Sequence, residues 1–584
     1  MVVPRDFQGR TRISSCLRAP RLVWRDQFAQ TRVVDGIGEL TCSGLLCMYD
    51  TYRYGDASMQ TGTTLSWFRR LRVASFALIT AIGAVGLLSA SARVATGEGN
   101  DVELGPLSSV AVPMPIGGDI VDQAAAVRLG KALFWDIQLG GDGQTACATC
   151  HFHGGADNRP AINPGLDKLF GTADDVHGSM GLTVAQGTFK NIDPNPDNAA
   201  DICTTGALNL FGVAPQVTTR NAPTTVNGVA FFRQMFWDGR GNDNFNGASP
   251  FGQTANNTAA QKTSAAFSAV GIGNSALASQ GVGPANKFPE VSCNGRTFGN
   301  LYDKLMARKA LQHQFVHQQD SALGAMSAWP AKGLKCGTDG HACGYGEMIA
   351  AAFGPTLATK AQFSRVFGQA VQAYESTLIP DQTPLDRLLA GNSKAMTDLQ
   401  KKGLSVFRGK GGCTKCHAGP ELTDASVTFA SVFGLINEDG GDQGFHNIGV
   451  RPTIEDLGRA GTGGANVAPF SVSGSIMDHG AFKTPALRNV GLTAPYFHTG
   501  GKATLADVVD FYSRGGDFPN TEKARRIRPL GLSAADKAAL VEFLANGLTD
   551  CRTAKDEAPF DHPSLTVPDG GPDLPATGGD TSCR

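Results

Sequence analysis

Two short cysteine–histidine motifs contain the residues best able to do chemistry. One runs C-A-T-C-H from Cys147 to His151, and the other runs C-T-K-C-H from Cys413 to His417. In this spacing two thiols can add to the vinyl groups of haem while the adjacent imidazole binds the iron. A lone Cys-x-x-Cys pair could be a thiol-redox pair or half a zinc site, but no second pair lies at zinc-ribbon spacing. The sequence therefore predicts two covalently bound haem c groups, with these attachment cysteines and proximal histidines: Cys147, Cys150, His151, Cys413, Cys416 and His417.

The elements that must hold these motifs are helical. Apolar residues recur at helical spacing over residues 123–135 and 396–407, directly before each cysteine motif. A third helix is predicted after Ser533, a favourable N-cap residue, and ends near Gly547. Because extended alternating runs are nearly absent, we expect an all-α fold with two cytochrome c-like haem domains and long, loop-rich insertions.

The overall composition narrows the class of protein. Of 584 residues, 41% are apolar and 18% are charged, which is enough apolar material for packed cores. The 51 basic and 52 acidic residues leave no global field to attract DNA or RNA, so no nucleic-acid partner is expected. The 73 glycines and 30 prolines predict long loops. Composition excludes a collagen, a coiled coil and a polytopic membrane protein.

An apolar run over residues 73–92 predicts export. It follows three arginines and ends in Ala-Ser-Ala, which is typical of a secretory signal peptide over 59–92. Twenty residues could also span a bilayer, but no basic stop-transfer cluster follows, so we favour cleavage over membrane anchoring. Export signals begin near the start of a chain, so Met59 is the predicted translation start and residues 1–58 are interpreted as mis-assigned upstream sequence. The expected location is the periplasm or the exterior.

The exported part divides into three predicted segments. These are an N-terminal haem domain with insertions over 93–390, a C-terminal haem domain over 391–550 and a tail over 551–584. Six cysteines remain beyond the haem motifs, and an even number in an oxidising compartment predicts up to three disulfides. Proximity along the chain favours three pairs, namely Cys336 with Cys343, Cys551 with Cys583 and Cys203 with Cys293.

Five stretches of the chain resemble the bacterial di-haem cytochrome c peroxidases and their relatives, MauG and the rubber oxygenases. They include LGKALFWDIQLGGDGQTACATCHFH, RNAPTTVNG, FWDGR and FKTPALRNVGLTAPYFHTGG, and they occur in family order. The long intervening segments 155–215 and 241–350 are more similar to the rubber-oxygenase branch. The matching stretches are residues 129–153, 220–228, 236–240, 373–424 and 482–512.

The resemblance implies that the N-terminal haem is the reaction site and the C-terminal haem is the electron store. Classical peroxidases often carry a removable histidine ligand just before the RN-x-PT motif, but residues 208–221 contain none. The N-terminal haem is therefore expected to be five-coordinate and open to hydrogen peroxide or oxygen. His153 is too close to His151 to cross the haem plane, and His177 is interpreted as a surface residue.

The second iron has a predicted distal ligand, Tyr512. The family ligand lies fourteen residues after the histidine of PYFH, where classical peroxidases have Met and MauG has Tyr. A phenolate lowers a haem potential and stabilises high-valent iron better than a thioether does. The alternatives are a core aromatic role for Tyr512, or ligation by Met477 or His479.

The same resemblance implies an electron relay, an ion pair and a calcium site at other matched positions. Trp237 of FWDGR corresponds to the tryptophan between the haems, which relays electrons or holds a radical. Asp238 and Arg240 are expected to pair. Three residues match a calcium site at the domain interface, where oxygen ligands suit this ion: Asn221, Thr493 and Pro495.

The distal pocket departs from the family pattern. The Gln and Glu that flank a Gly-Pro in the family align here with Asn246 and Asn256, and no Glu occurs between residues 240 and 287. Asn cannot act as a general base for peroxide cleavage. Phe251 is predicted near this pocket, which favours a neutral molecule such as oxygen, while His498 is interpreted as structural.

Three functions follow as hypotheses. The first is a peroxidase that takes electrons from a small donor protein, such as a cytochrome c or a cupredoxin, and reduces hydrogen peroxide. The second is a MauG- or rubber-oxygenase-like oxidase or dioxygenase that acts on an organic or protein substrate. The third is a plain electron carrier, which would require closed six-coordination at both irons. A monomer or homodimer is expected.

Overall fold

The computed structural model describes five stretches of the chain: 102–183, 187–205, 216–254, 256–461 and 470–583. The predicted upstream segment, the predicted signal peptide and the apolar run weighed as an anchor all lie outside the described residues. Within those stretches, no helix has both the length and the apolar character that crossing a bilayer requires.

Helices make up most of the regular structure in the described residues. In chain order the α-helices are α1 Gln123–Trp135, α2 Ala259–Lys262, α3 Ala276–Gly281, α4 Phe298–Met306, α5 Tyr345–Phe353, α6 Phe363–Glu375, α7 Pro384–Leu389, α8 Asp398–Arg408, α9 Val427–Phe433, α10 Leu505–Arg514, α11 Ala534–Glu542 and α12 Cys551–Ala554. The expectation of a mainly helical fold is met, with long loops joining the helices.

The strands of the described stretches form four separate two-stranded antiparallel pairs. Their strands are β1 Gly187–Ile192, β2 Asp201–Thr205, β3 Lys335–Cys336, β4 His341–Ala342, β5 Phe445–His446, β6 Phe482–Lys483, β7 Leu565–Thr566 and β8 Asp573–Leu574. Because each pair has only two strands, none of them forms a core sheet.

The first pair of packed helices, α1 and α6, crosses at a glycine. Gly130 faces Ala370 and Tyr374, and a Cβ at this position would collide with the Ala370 carbonyl oxygen. Glycine is therefore needed for the close approach. One turn later on α1, the Phe134 ring packs on Tyr374 with centroids 5.5 Å apart.

The second pair, α8 and α11, repeats this construction. Gly403 faces Ala539 and Phe543, and a Cβ on Gly403 would meet the Ala539 carbonyl oxygen. Phe407, four residues after Gly403, packs on Phe543 with centroids 5.3 Å apart. The chain thus contains two helix pairs of one design, each directly linked to a cysteine motif.

The helix starts follow from capping side chains. The carboxylate of Asp122 accepts a hydrogen bond from the Ala125 amide, and the Thr397 hydroxyl accepts one from the Gln400 amide. Ser533 caps α11, and the helix continues into a π-helical turn, Phe543–Gly547. The helices predicted before each motif and after Ser533 are therefore confirmed.

The three predicted disulfides are also confirmed: Cys203–Cys293, Cys336–Cys343 and Cys551–Cys583. The last of them closes the C-terminal tail, which folds back onto α1. Lys131 Nζ of α1 lies 2.7 Å from the Asp561 carboxylate, and Arg159 donates to the Pro568 carbonyl oxygen at 3.1 Å.

Candidate haem sites and the residues around them

The first haem motif, residues 147–151, lies in a 3-10 turn after α1. The Thr149 hydroxyl accepts a hydrogen bond from the Ala146 amide at 2.9 Å, which holds the turn. His151 Nδ1 lies 2.8 Å from the Gly155 carbonyl oxygen and donates to it, so Nε2 keeps its lone pair. Burial lowers the pKa of His151 and favours the neutral ring that binds metal.

The second haem motif, residues 413–417, has the same arrangement. His417 Nδ1 lies 3.1 Å from the Pro485 carbonyl oxygen and 3.3 Å from that of Leu422. Burial again lowers the pKa of His417, and Nε2 is left available for iron. The carbonyl of Pro485, in the predicted FKTPALRN stretch, therefore orients a histidine 68 residues earlier in the chain.

The donor set fits haem. Among the described cysteines, the four motif residues are free and half-buried, whereas the six others form disulfides. Each proximal histidine also lies beside its helix pair, with the Phe134 ring 6.0 Å from His151 and the Phe407 ring 6.5 Å from His417. Both motifs can accordingly hold a thioether-linked haem with a histidine ligand.

Two carboxylates near the first motif were missed by the sequence reasoning. Glu290 is half-buried, and burial raises its pKa, while the nearby charge of Arg240 acts in the opposite direction. Glu290 lies close enough to Cys147 and Cys150 to affect both thiols electrostatically. Glu290 lies three residues beyond the interval in which the distal acid was sought, and no spacing rule connects it to the motif.

Glu375, the last residue of α6, is the second carboxylate. Its side chain is buried and makes no hydrogen bond within the described part of the chain, and burial raises its pKa to about 8. It follows Tyr374, which packs on Phe134 beside His151. Glu375 therefore belongs to the helix-pair side of this motif, whereas Glu290 lies beside Arg240 of the FWDGR loop.

Trp237 connects several segments. Its indole N–H donates to the Asn221 carbonyl oxygen at 2.7 Å, and its own carbonyl accepts from the Lys483 amide at 2.8 Å. Its ring lies 6.4 Å from His498 in an edge-on arrangement. Burial lowers the pKa of His498 to about 3, so a neutral ring stacked on Phe482 agrees with the structural interpretation.

The Asn246 side chain forms hydrogen bonds within its own loop. Its amide nitrogen donates to the Ser249 hydroxyl and to Asn257, and its oxygen accepts from the Ser249 amide. These bonds make Asn246 a residue that holds the loop, and its catalytic role stays a prediction. Phe251 stacks on Phe470 with centroids 6.1 Å apart. The Asn256 oxygen is buried without a partner in the described stretches.

Tyr512 on α10 lies by the second motif. Burial raises its pKa, and the Cys416 and Cys413 thiols act in the same direction, which places the phenol near both. Of the alternative ligands, Met477 lies beside Gly441, and the backbone carbonyl oxygen of His479 accepts from Asn447 at 2.9 Å.

The residues matched to a calcium site are only partly brought together. The Asn221 amide nitrogen lies 2.7 Å from the Pro495 carbonyl oxygen, and Asn221 Oδ1 is buried without a partner among the described residues. The Thr493 hydroxyl instead donates to Val490 at 3.3 Å. The orphaned Asn221 oxygen is the feature here that suits a cation.

The structure also shows the expected ion pair of Asp238 and the exposure of two histidines. Asp238 is fully buried and pairs with Arg240 and Arg220, each at 2.7 Å, so the expected Asp238–Arg240 pair is confirmed. His177 is exposed, as expected for a surface residue, and so is His153.

Comparisons with known proteins agree with this geometry. The sequence profile described as di-haem cytochrome c peroxidase matches residues 124–394. Cytochrome-c peroxidase IdrP2 of Denitromonas iodatirespirans is 35% identical over 198 residues, which are 31% of this chain and 47% of that relative. Cytochrome-c peroxidase IdrP1 of Pseudomonas sp. (strain SCT) is 25% identical over 470 residues, covering 79% of this chain and 90% of that protein.

Two further matches have the MauG name. Methylamine utilization protein MauG of Methylorubrum extorquens is 25% identical over 476 residues, covering 80% of this chain and 92% of that protein. A solved structure described as a MauG-like protein associated with microbial copper homeostasis is 21% identical. It covers 78% of this chain and 97% of its own, with a TM-score of 0.46.

Each of the two helix pairs crosses at a glycine. In each pair the first helix is followed by two free thiols and a histidine with an available Nε2. This arrangement defines a protein with two haem sites. The chain is similar to the di-haem cytochrome c peroxidase/MauG superfamily, by the profile over residues 124–394 and by relatives named cytochrome-c peroxidase and MauG. It is an oxidoreductase enzyme.

Proposed function

We propose that the chain is an exported peroxidase. It reduces hydrogen peroxide at a haem c attached to Cys147 and Cys150, and electrons enter at a haem c attached to Cys413 and Cys416. A small donor protein, such as a cytochrome c or a cupredoxin, supplies these electrons. The proposed location is the periplasm or the exterior, and the two haem domains span 93–390 and 391–550.

The observation that carries the proposal is Glu290. Cleavage of the peroxide O–O bond needs a group that takes a proton from one oxygen and delivers it to the other. The sequence supplies Asn256 at the expected position, and an amide cannot do this. The Glu290 carboxylate acts electrostatically on both thiols of the first motif, and its side chain makes no hydrogen bond within the described part of the chain.

The surroundings of Glu290 suit proton transfer. Burial raises the pKa of the carboxyl, so that it exchanges protons closer to neutral pH than an exposed glutamate does. Arg240 opposes this rise and is itself held by Asp238 at 2.7 Å and by the Phe236 ring at 3.8 Å. The positive charge of Arg240 therefore stabilises the carboxylate form of Glu290.

Other residues of the chain hold and connect the two sites. When bound, the haems supply the iron redox chemistry. His151 and His417 are kept neutral with Nε2 available, and Tyr512 is the proposed second ligand at the C-terminal haem. Trp237 is the proposed electron relay, supported by its hydrogen bonds to two segments. Asn221, with Pro495 and Thr493, is the proposed calcium site.

The test is the variant Glu290→Gln in the haem-loaded protein. Steady-state peroxide reduction with a reduced cytochrome c donor is measured for this variant and for Glu375→Gln as the matched control. Removal of the acid–base group is expected to lower kcat/KM for peroxide by about 10²- to 10⁴-fold. Glu375→Gln changes a buried carboxyl that also acts on Cys147 but has no arginine acting on it, and this variant is expected to stay near wild type.

Three outcomes decide the proposal. A selective loss in Glu290→Gln supports it. Equal activities in both variants and wild type would exclude Glu290 as the proton-transfer group. A wild-type protein that ignores peroxide but binds oxygen at a high-spin haem would replace the peroxidase with the oxidase or dioxygenase function.

A further inference from the structure

Trp135 is a second tryptophan close to the first haem motif. It is the last residue of α1 and is 5% exposed. Its neighbour Phe134 lies 6.1 Å from the indole and 6.0 Å from the His151 ring, centroid to centroid. One aromatic ring therefore separates Trp135 from the proximal histidine.

The indole is held in a fixed orientation. Its N–H donates to the Tyr374 hydroxyl at 2.9 Å, and its face stacks on His562 with centroids 4.6 Å apart and an interplanar angle of 12°. The hydrogen-bond acceptor is a phenol and not a carboxylate, so the indole keeps its proton if it loses an electron. An oxidised indole here is accordingly a radical cation.

A buried cluster with net negative charge lies beside this indole. Lys131, one turn before Trp135 on α1, contacts Asp320 at 2.8 Å and Asp561 at 2.7 Å, and all three side chains are at most 1% exposed. Two carboxylates against one ammonium leave one negative charge. Asp561 directly precedes His562, so the cluster is adjacent to the stacked pair.

Trp237 has different surroundings. Near it, Asp238 and Asp456 are balanced by Arg220 and Arg240, and the buried Lys483 follows in the neighbouring strand. A negative neighbourhood in a low-dielectric interior stabilises a cation far more than a balanced or positive one does. The buried charge thus favours oxidation of Trp135 over Trp237.

We propose that Trp135 is a second redox-active site of the enzyme, an electron donor to the haem of the first motif that forms a radical cation stabilised by the Lys131–Asp320–Asp561 cluster. This rests on the proposed peroxidase function. Hydrogen peroxide takes two electrons and two solvent protons and gives two waters. One electron would come from Trp135, and the other would come from the second haem if that haem is bound and reduced.

The site gives the enzyme a place to hold an oxidising equivalent when the donor protein has delivered only one electron. Asp561 and His562 belong to the C-terminal tail, which the Cys551–Cys583 disulfide closes. The tail consequently completes the surroundings of Trp135 and is part of the redox site.

The experiment uses the holoprotein with its second haem reduced, mixed with one equivalent of hydrogen peroxide and freeze-quenched for EPR. Peroxide consumption is measured in the same sample. Ring-deuterated tryptophan identifies the radical as an indole. The expected result is a tryptophan radical that is absent in Trp135→Phe and persists in Trp329→Phe, a half-exposed tryptophan used as the control.

A second variant is needed because Trp135→Phe would also lose the radical if it failed to bind its haems. Asp561→Asn removes the net charge and keeps the shape, and loss of a unit charge within about 10 Å at an effective dielectric of about 20 lowers the radical yield about tenfold. A radical that survives in Trp135→Phe, or one that Asp561→Asn leaves unchanged, overturns the inference. If peroxide is consumed without any tryptophan radical, the inference fails and the peroxidase stands. If peroxide is not consumed, both fail.

Discussion

The buried Lys483 should make the potential of the second haem depend on pH. The side chain is 6% exposed, and its ammonium lies 3.3 Å from the centroid of the Phe232 ring. It forms no ion pair within the described residues. Burial lowers the pKa of Lys483 to about 7, although the charge of Asp424 partly opposes this. The amine therefore changes charge near neutral pH.

The sign follows from the charge of the two redox states. Lys483 lies two residues before Pro485, whose carbonyl accepts from His417, and Asp424 acts electrostatically on both Lys483 and His417, so we expect the ammonium to lie near the second haem site. A positive charge stabilises the reduced haem, which has one more electron. As pH rises through about 7, the charge is lost and the potential falls. For a unit charge roughly 10 Å away at an effective dielectric of about 20, the fall is about 70 mV.

The assay is a spectroelectrochemical titration of the second haem over about two pH units on either side of 7. Lys483→Met should give a flat profile at the high-pH potential of the wild type. Lys483→Arg, which stays protonated, should give a flat profile at the low-pH potential.

Either of two results would refute the role of Lys483. If Lys483→Met shows the same fall through pH 7 as the wild type, another group titrates and the charge of Lys483 does not reach the haem. A wild-type potential that does not change in this window would mean that the amine has an ordinary pKa in the holoprotein.

Three further predictions concern single positions. Tyr512→Met should raise the second haem potential, since a thioether replaces a phenolate, and redox titration checks this; an unchanged potential would remove Tyr512 as a ligand. Gly403→Ala should destabilise the protein by about 1–3 kcal/mol through the clash with Ala539, measured by thermal melting, whereas an unchanged melting temperature would contradict the close crossing. Asn221→Ala should abolish any loss of activity that a calcium chelator causes in the wild type; a variant still inhibited by the chelator would place calcium elsewhere.

Several parts of the structure could be predicted from the sequence because they depend on residues near each other in the chain. The caps at Asp122, Thr397 and Ser533 start helices through side chains that reach amides three residues away. The thiols and histidine of each haem motif act together because they are within five residues. Two of the three disulfides join cysteines 7 and 32 residues apart, and the third pair follows by elimination.

The features that the sequence does not reveal lie where distant segments meet. The side-chain hydrogen bonds of Asn246 stay within its own loop, and the catalytic role that the family resemblance implies for it stays a prediction. Nothing in the local sequence of Glu290 distinguishes it from a surface glutamate. Its importance comes only from its position beside Arg240 and the first motif.

The amino-acid sequence by itself determined the chemistry that the chain can hold, namely two cysteine–histidine motifs for haem on helical supports, because these signals are local. The tertiary structure decided which charges surround each motif. The surroundings of Glu290 and Lys483 and the contact of Lys131 with Asp561 arise from segments far apart in the chain, and desolvation on folding shifts the pKa values of Glu290 and Lys483. Burial and long-range contacts of this kind exist only in the folded state, so no spacing rule could reveal them.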